Sequence, residues 1–354
     1  MLTNTFKFNY SVGAIANGIK TDMFTFFLLF FYSRVIGLDP LLASLAIGSA
    51  LVVDSITDPV MGAISDRTNS KYGRRHPYMF ISFMPVSIFY ILLFSPSTEW
   101  ELSQSQLFWW MFVCASLTRI GMTLFEVPHR SFGAEITKDY DERTKLFSWR
   151  EMFAWTAGIS NAFLGYFVFF KSTPDYPLGQ LNPEAYFPLA TTGGVLMVIS
   201  ILYSSFKTRN DISNLSSWSG STSFPQMISE LKIAITNKSF ILFFLGSLTL
   251  SISWGMLNSL TLFINTDFWG LRGDQLGIFL FIYFPAAFLA FSITPRLVVK
   301  FGKRRFVLLC LIGVAVASPI AFIFYNLGLT PDKGTTSLVL FLCIDLIIFL
   351  VTYV

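Results

Sequence analysis

Long apolar runs recur along almost the whole chain, and no other feature constrains its fold as strongly. At about 1.5 Å of rise per residue, about 20 apolar residues cross a hydrocarbon core of about 30 Å. Runs of that order are read at 9–36, 41–65, 78–95, 106–128, 149–170, 185–206, 238–264, 275–294, 306–325 and 337–354, ten in all. Inside a bilayer the backbone must satisfy its own hydrogen bonds. The expected fold class is therefore all-α, a polytopic membrane protein embedded in the lipid bilayer. Only 13% of the 354 residues are charged, against about 25% in soluble domains. The first run is long and lacks a small-residue cleavage site, so it reads as a span that stays.

The basic residues alternate from loop to loop. With the first loop outside, the inner segments hold 19 Lys and Arg, and the outer ones hold Arg34, Lys171, Arg272 and Lys333. Lys20 and Arg119 lie inside spans. This bias predicts a multi-pass protein of the cell membrane with a cytoplasmic N-terminus. The Ser- and Asn-rich stretch 207–237 divides the spans into an N-terminal six-helix bundle, 1–206, and a C-terminal bundle, 238–354, with a central cytoplasmic loop between them. The loop SDRTNSKYGRR after span two is echoed by TPRLVVKFGKRR after span eight. That weak repeat predicts duplicated bundles. The chain stops inside an apolar run at Val354, so a twelve-span plan would lack two helices here; a true ten-span protein is the alternative.

The stretch GSALVVDSITDPVMGAISDRTNSKYGRRHP organises the rest. Asp54 and Asp58 are four residues apart, so both carboxylates project from one helix face. Asp54 lies about 20 Å into its span at helical rise. A carboxylate at that depth costs about 2.5–3.5 kcal/mol on insertion scales. Two on one face also repel, so the pair is expected to hold a cation or proton, or else to be neutralised by an internal Lys or Arg. Other classes find no support. His76 and His129 are too few and too far apart for a metal cluster, and Cys114, Cys310 and Cys343 show no paired spacing. No nucleophile–base pair or phosphate-cradling Gly loop marks an enzyme. A formal charge of +4 is too mild for a nucleic-acid partner.

These residues carry a resemblance. The run DSITDPVMGAISDRTNSKYGRRHPY is similar to the second helix and following loop of the glycoside–pentoside–hexuronide:cation symporters of the major facilitator superfamily. A second block, FEVPHRSFGAEITKDYDERTKLFSWREMFAWTAG, agrees through Glu126, Val127-Pro128, the charged stretch Lys138 to Lys145, and Arg150. The first helix fits in length and in its ending, FFYSRVIGL. The likeness covers all ten spans and is closest over 10–160. It implies the two-bundle major facilitator fold, about ten of twelve expected spans being present. The implied function is Na⁺- or H⁺-coupled symport of a sugar, glycoside or uronide by alternating access. The alternatives are a carrier of lysophospholipid or another amphiphile, or a non-transporting receptor or scaffold. No cofactor beyond the coupling ion is expected, and the carrier is expected to act as a monomer.

Several roles follow from that resemblance. Asp54 and Asp58 match the family's cation-site acids, Thr57 stands where the family has a polar Asn, and Thr123 matches a hydroxyl ligand. Glu126 matches the sugar-binding acid, and Arg150 an Arg beside the sugar. Arg119, two turns before Glu126 on the same face, joins the expected substrate set, together with Asn17 and Lys20. Gly18 stands where the family carries a sugar-binding Asp, and Arg130 where it has a Trp. Those exchanges, with Lys20 and Arg119 buried, point to an anionic sugar, whose carboxylate would pair with Arg in a fork. Asp66 beside Arg67, with Arg74 and Arg75, is read as a cytoplasmic gate. Asp345, Trp254, Asn258 and Tyr283 are further candidates in the second half.

Overall fold

A computed structural model describes residues 2–68, 70, 72–209, 233, 236–278, 281, 297, 300–317 and 319–353. Among them are eight helices long and apolar enough to cross a membrane. They are α1 (Asn4–Val35), α2 (Pro40–Arg67), α3 (His76–Leu93), α4 (Gln104–Glu135), α5 (Tyr140–Phe169), α6 (Pro183–Thr208), α7 (Lys238–Phe268) and α8 (Arg304–Asn326). A further apolar helix, α9 (Thr336–Tyr353), covers the tenth expected span. Most of the expected span 275–294 and of the loop 207–237 lies outside the described residues.

The helices outrun the hydropathy pattern where caps and charge pairing extend them. α5 begins at Tyr140 rather than near 149 because the Asp139 carboxylate accepts the Glu142 N–H at 2.9 Å. That bond holds the Asp139 carboxyl below its usual range. α4 starts on a capping box: Ser103 Oγ accepts from Gln106 N while Gln106 Oε1 accepts from Ser103 N. It then runs through Pro128 to Glu135, seven residues past the expected end. Asp39 caps α2 by accepting from Leu41 N and Leu42 N, with Pro40 at the first helical position.

The chain divides into two compact units, residues 1–162 with 183–262, and residues 163–182 with 263–354. In the first, α4 is the central helix and packs most extensively on α2 and α3, while α6 packs on α1 and α3. The α2 sequence explains its seat. Ala43, Ala46, Ala50, Met61 and Ser65 are buried on one face, and Asp54 lies on that same stripe. Leu41, Leu45, Val52, Ile56, Val60 and Ile64 are exposed on the other face, the apolar surface lipid would cover. Small residues let backbones close in elsewhere. A Cβ at Gly121 of α4 would stand 2.8 Å from the Val86 N of α3, and one at Gly18 of α1 would stand 1.9 Å from the Ala154 carbonyl oxygen of α5.

In the second unit, the connection after α5 is tied to the chain after α7. Gln180 Nε2 donates to Thr266 Oγ1 at 3.1 Å and to the Leu271 carbonyl at 2.8 Å. Trp269 packs against Phe322 and Tyr325, and the Lys333 ammonium lies 4.4 Å from the centroid of the Phe268 ring. α8 and α9 pack on each other.

Candidate functional site

The two acids of α2 face α4, and the tertiary contact adds a residue that hydropathy leaves unassigned. Arg119 Nη1 donates to Asp54 Oδ2 at 2.8 Å. Thr123, one turn further along α4, places its hydroxyl against both acids, 2.7 Å from Asp58 Oδ1 and 3.3 Å from Asp54 Oδ1. One hydroxyl has one proton to give, so the shorter contact to Asp58 is its bond. The other side of the guanidinium lies over the ring of Phe24 on α1, its carbon 5.1 Å from the centroid. Three oxygens from three residues thus converge, a donor set suited to a hard cation. The Lys20 ammonium of α1 shares the Phe24 ring with Arg119, 6.0 Å from its centroid, and lies within electrostatic reach of Arg119, Asp54 and Asp58.

Two expectations change here. Arg119, placed by its spacing in the substrate set, pairs with Asp54 in this structure. It lies about 10.5 Å along the helix from Glu126, two turns away, whereas Asp54 faces it directly across the α2–α4 contact. Thr57 Oγ1 donates to the Asp54 carbonyl of its own helix at 3.2 Å and has no bond to either carboxylate.

A second cluster joins α4 to α5. Arg150 is fully buried, and its two terminal nitrogens grip Glu126 and Glu151. Arg130 Nε donates to the same Glu126 oxygen, Oε1, at 2.5 Å, and Arg130 Nη2 lies 3.6 Å from Glu151. Two acids therefore meet two arginines and the charge balances. What remains is hydrogen-bonding capacity: Glu126 Oε2 and Arg150 Nε are buried with no partner. Glu151 escaped the sequence reading, and Arg130 entered it only as an exchange for a Trp, although it stands four residues after Glu126, the spacing of a helical ion pair. Arg119, Thr123, Glu126 and Arg130 share one stripe of α4, so the two clusters are adjacent turns of one surface.

The residues expected at a gate come together in part, but in a different pairing. Arg75 Nη2 bonds Asp66 Oδ1 at 2.9 Å and also grips Glu135 at the end of α4, while Arg74 Nη2 bonds Glu135 at 2.8 Å. Arg67 is exposed and, among the described residues, makes no ion pair. Glu135 was the missing partner. A separate buried pair, Lys7 with Glu142 at 3.1 Å, ties the start of α1 to that of α5.

Of the remaining candidates, Lys20 stands beside the acids, within electrostatic reach of Asp54, Asp58 and Glu126, and Asn17 is half-buried one turn before it. Gly18 admits no side chain in this arrangement, because α5 lies against it. Asn258 is half-buried. Tyr283 lies outside the described residues, as do the side chains of Trp254 and Asp345.

A family model described as MFS/sugar transport protein matches residues 9–354. The chain is 30% identical over 206 residues to an uncharacterized symporter, sll1374, of Synechocystis, a match covering 57% of this chain and 37% of the relative. It is 28% identical over 158 residues to the inner membrane symporter YicJ of Escherichia coli, covering 45% and 34%. The matched stretch thus spans about a third of the length of these relatives. The inward open structure of the xylose transporter XylE from E. coli superposes with a TM-score of 0.65, over 99% of this chain and 79% of that one, at 14% identity. That likeness is one of fold.

Proposed function

The chain belongs to the MFS/sugar transport protein family, the glycoside–pentoside–hexuronide:cation group of the major facilitator superfamily, and on that premise we propose a cation-coupled sugar carrier working by alternating access. The carrier lies in the cell membrane with its N-terminus inside, and residues 1–206 and 238–354 form its two moving halves. The observation that carries the reading is the pairing, on one stripe of α4, of a site where two carboxylates and a hydroxyl converge with a site short of hydrogen-bond partners.

A monovalent cation settles between Asp58, Asp54 and Thr123. It relieves the repulsion of the two acids and orders α2 against α4. Thr123 stands three residues from Glu126, so ordering that face also steadies Glu126 and Arg150. A sugar then brings a hydroxyl donor to Glu126 Oε2 and an acceptor to Arg150 Nε. Arg119, Arg130 and Arg150 are committed to acids, while Lys20 of α1 lies within electrostatic reach of Glu126, so the substrate is a glycoside, neutral or anionic. The loaded carrier crosses, and the half-loaded form does not.

The test is uptake into vesicles holding the purified protein, with neutral and anionic glycosides, under an imposed Na⁺ or H⁺ gradient and without one. Gradient-driven uptake is expected to fall at least 100-fold in Asp58→Asn while the protein stays folded in the membrane. Undiminished coupled uptake by that variant would sink the reading.

A further inference from the structure

Asp22 of α1 is an acid that neither cluster uses. It stands at mid-helix, about 20 Å at helical rise from the outer end of α1 at Val35. It is half-buried, and among the described residues its carboxyl makes no hydrogen bond and no ion pair. Lys20, two residues before it, is turned about 200° away, onto the side of α1 where Phe24 meets Arg119.

What faces Asp22 instead is α5. A Cβ at Gly158 would overlap Asp22 Oδ2 and stand 2.9 Å from the Gly18 carbonyl oxygen, so the carboxyl lies directly on bare backbone. α5 carries no titratable side chain from 152 to 165, and α6 carries none from 187 to 202. The neighbour from α3 is Tyr90, whose hydroxyl lies with Ile19 and Asn161 Oδ1 against Gly193 of α6. Ile19 is one turn before Asp22 on the same face of α1. Among the described residues no charged group bears on the carboxyl. α1 then widens into a π-helical turn, Met23–Phe27, that begins at the residue after Asp22. Such a turn is a local departure from the α-helical ladder and is frequent at functional sites.

We propose that Asp22 is a proton-binding site, separate from the Asp54–Asp58 pair, whose proton holds α1 against α5. In a place of low dielectric a carboxylate without a counter-ion is costly, and a proton removes the charge outright. The neutral acid fits the contact with Gly158 as it stands, and its half-exposure gives a proton a way in. Loss of the proton leaves a charge that needs water, and a contact too close for a Cβ has no room for water. α1 then parts from α5, yielding at the π-helical turn. α5 also carries Arg150, two turns before Gly158, so the parting disturbs the Glu126 cluster. The proton site stands apart from the carrier reading; only its effect on sugar rests on that reading.

The test is infrared difference spectroscopy of the full purified chain between about pH 6 and about pH 8. A protonated carboxyl has a C=O stretch that vanishes on ionisation. The native protein should lose such a band as pH rises. Asp22→Asn, which mimics the protonated form, should lack it, and Asp54→Asn and Asp58→Asn should keep it. Thermal unfolding is the second readout. The folded chain holds a proton that the unfolded chain releases, so the native unfolding temperature should fall as pH rises through this range, and Asp22→Asn should flatten the fall. In vesicle uptake, half-saturating sugar for the native protein should rise about 10-fold over the same range, and stay at the low-pH value in Asp22→Asn. If Asp22→Asn is lost from the membrane, Asp22→Glu replaces it. Its longer side chain puts the carboxyl in a new setting, so the band should move, and an unmoved band overturns the inference. A titrating band that persists in Asp22→Asn, or none in the native protein, overturns the inference and spares the carrier reading. A band lost in Asp22→Asn, with no sugar uptake by the native protein at any pH, upholds the proton site and overturns the carrier reading.

Discussion

The two charged clusters on α4 are one turn apart and are built from the same residue types, yet they offer different things. At Asp54 and Asp58, carboxylate oxygens converge with the Thr123 hydroxyl, with Arg119 on one side and the Lys20 ammonium within electrostatic reach. At Glu126, two acids share two arginines, charge is balanced, and a buried carboxylate oxygen and a buried guanidinium N–H are what is missing. Converging anionic oxygens call for a cation. A hydrogen-bond deficit calls for a polar molecule with hydroxyls to spend. The contrast teaches that ion and sugar can be told apart on one helix face by what the arginines leave over, oxygens in one cluster and an oxygen with an N–H in the other, without any difference in the acids themselves.

The sharpest break would come from Glu126→Gln. A hydrogen bond to a charged acceptor is worth about 1.5–3 kcal/mol, so half-saturating sugar should rise roughly 10- to 100-fold. Half-saturation by the coupling ion, measured without sugar, should stay put. Movement of both together would merge the two clusters into one site. Gly18→Ala gives a smaller and indirect test. A Cβ there meets the Ala154 carbonyl of the helix that carries Arg150. Separating α1 from α5 should destabilise by about 1–3 kcal/mol, read as a lower unfolding temperature. It should weaken sugar affinity a few-fold, while the ion response, carried by α2 and α4, is unchanged.

The Arg75 cluster serves as the control for both. Arg75→Gln removes the guanidinium shared by Asp66 and Glu135. It should lower stability by about 1–3 kcal/mol in thermal unfolding without altering half-saturation by ion or sugar in the molecules that remain folded. Arg67→Gln marks the floor. Arg67 is exposed and outside every ion pair among the described residues, so its removal should change stability by less than about 0.5 kcal/mol. A loss as large as that for Arg75 would restore Arg67 to the gate.

Much of this molecule was legible in its letters. Apolar length marked the spans, because a backbone in hydrocarbon has only the helix to satisfy its hydrogen bonds. The period of 3.6 residues put Asp54 with Asp58, and Arg119 with Glu126, on shared faces before any contact was known. The caps, Ser103 with Gln106 and Asp39 with Pro40, set starts that hydropathy places one or two residues late. The pairing of charges was decided only by the tertiary structure. Asp66 and Arg67 are neighbours in sequence but are turned about 100° apart on the helix, and it is Arg75, beyond the loop, that meets Asp66. Arg119 and Glu126 share a face, yet Arg119 is spent on another helix. Arg130 and Glu151 join Glu126 and Arg150 because α5 crosses α4 there. Spacing along one helix determines which way a side chain points, whereas the rotation and crossing of two packed helices determine which opposite charge it finds, and that depends on residues far apart in the chain.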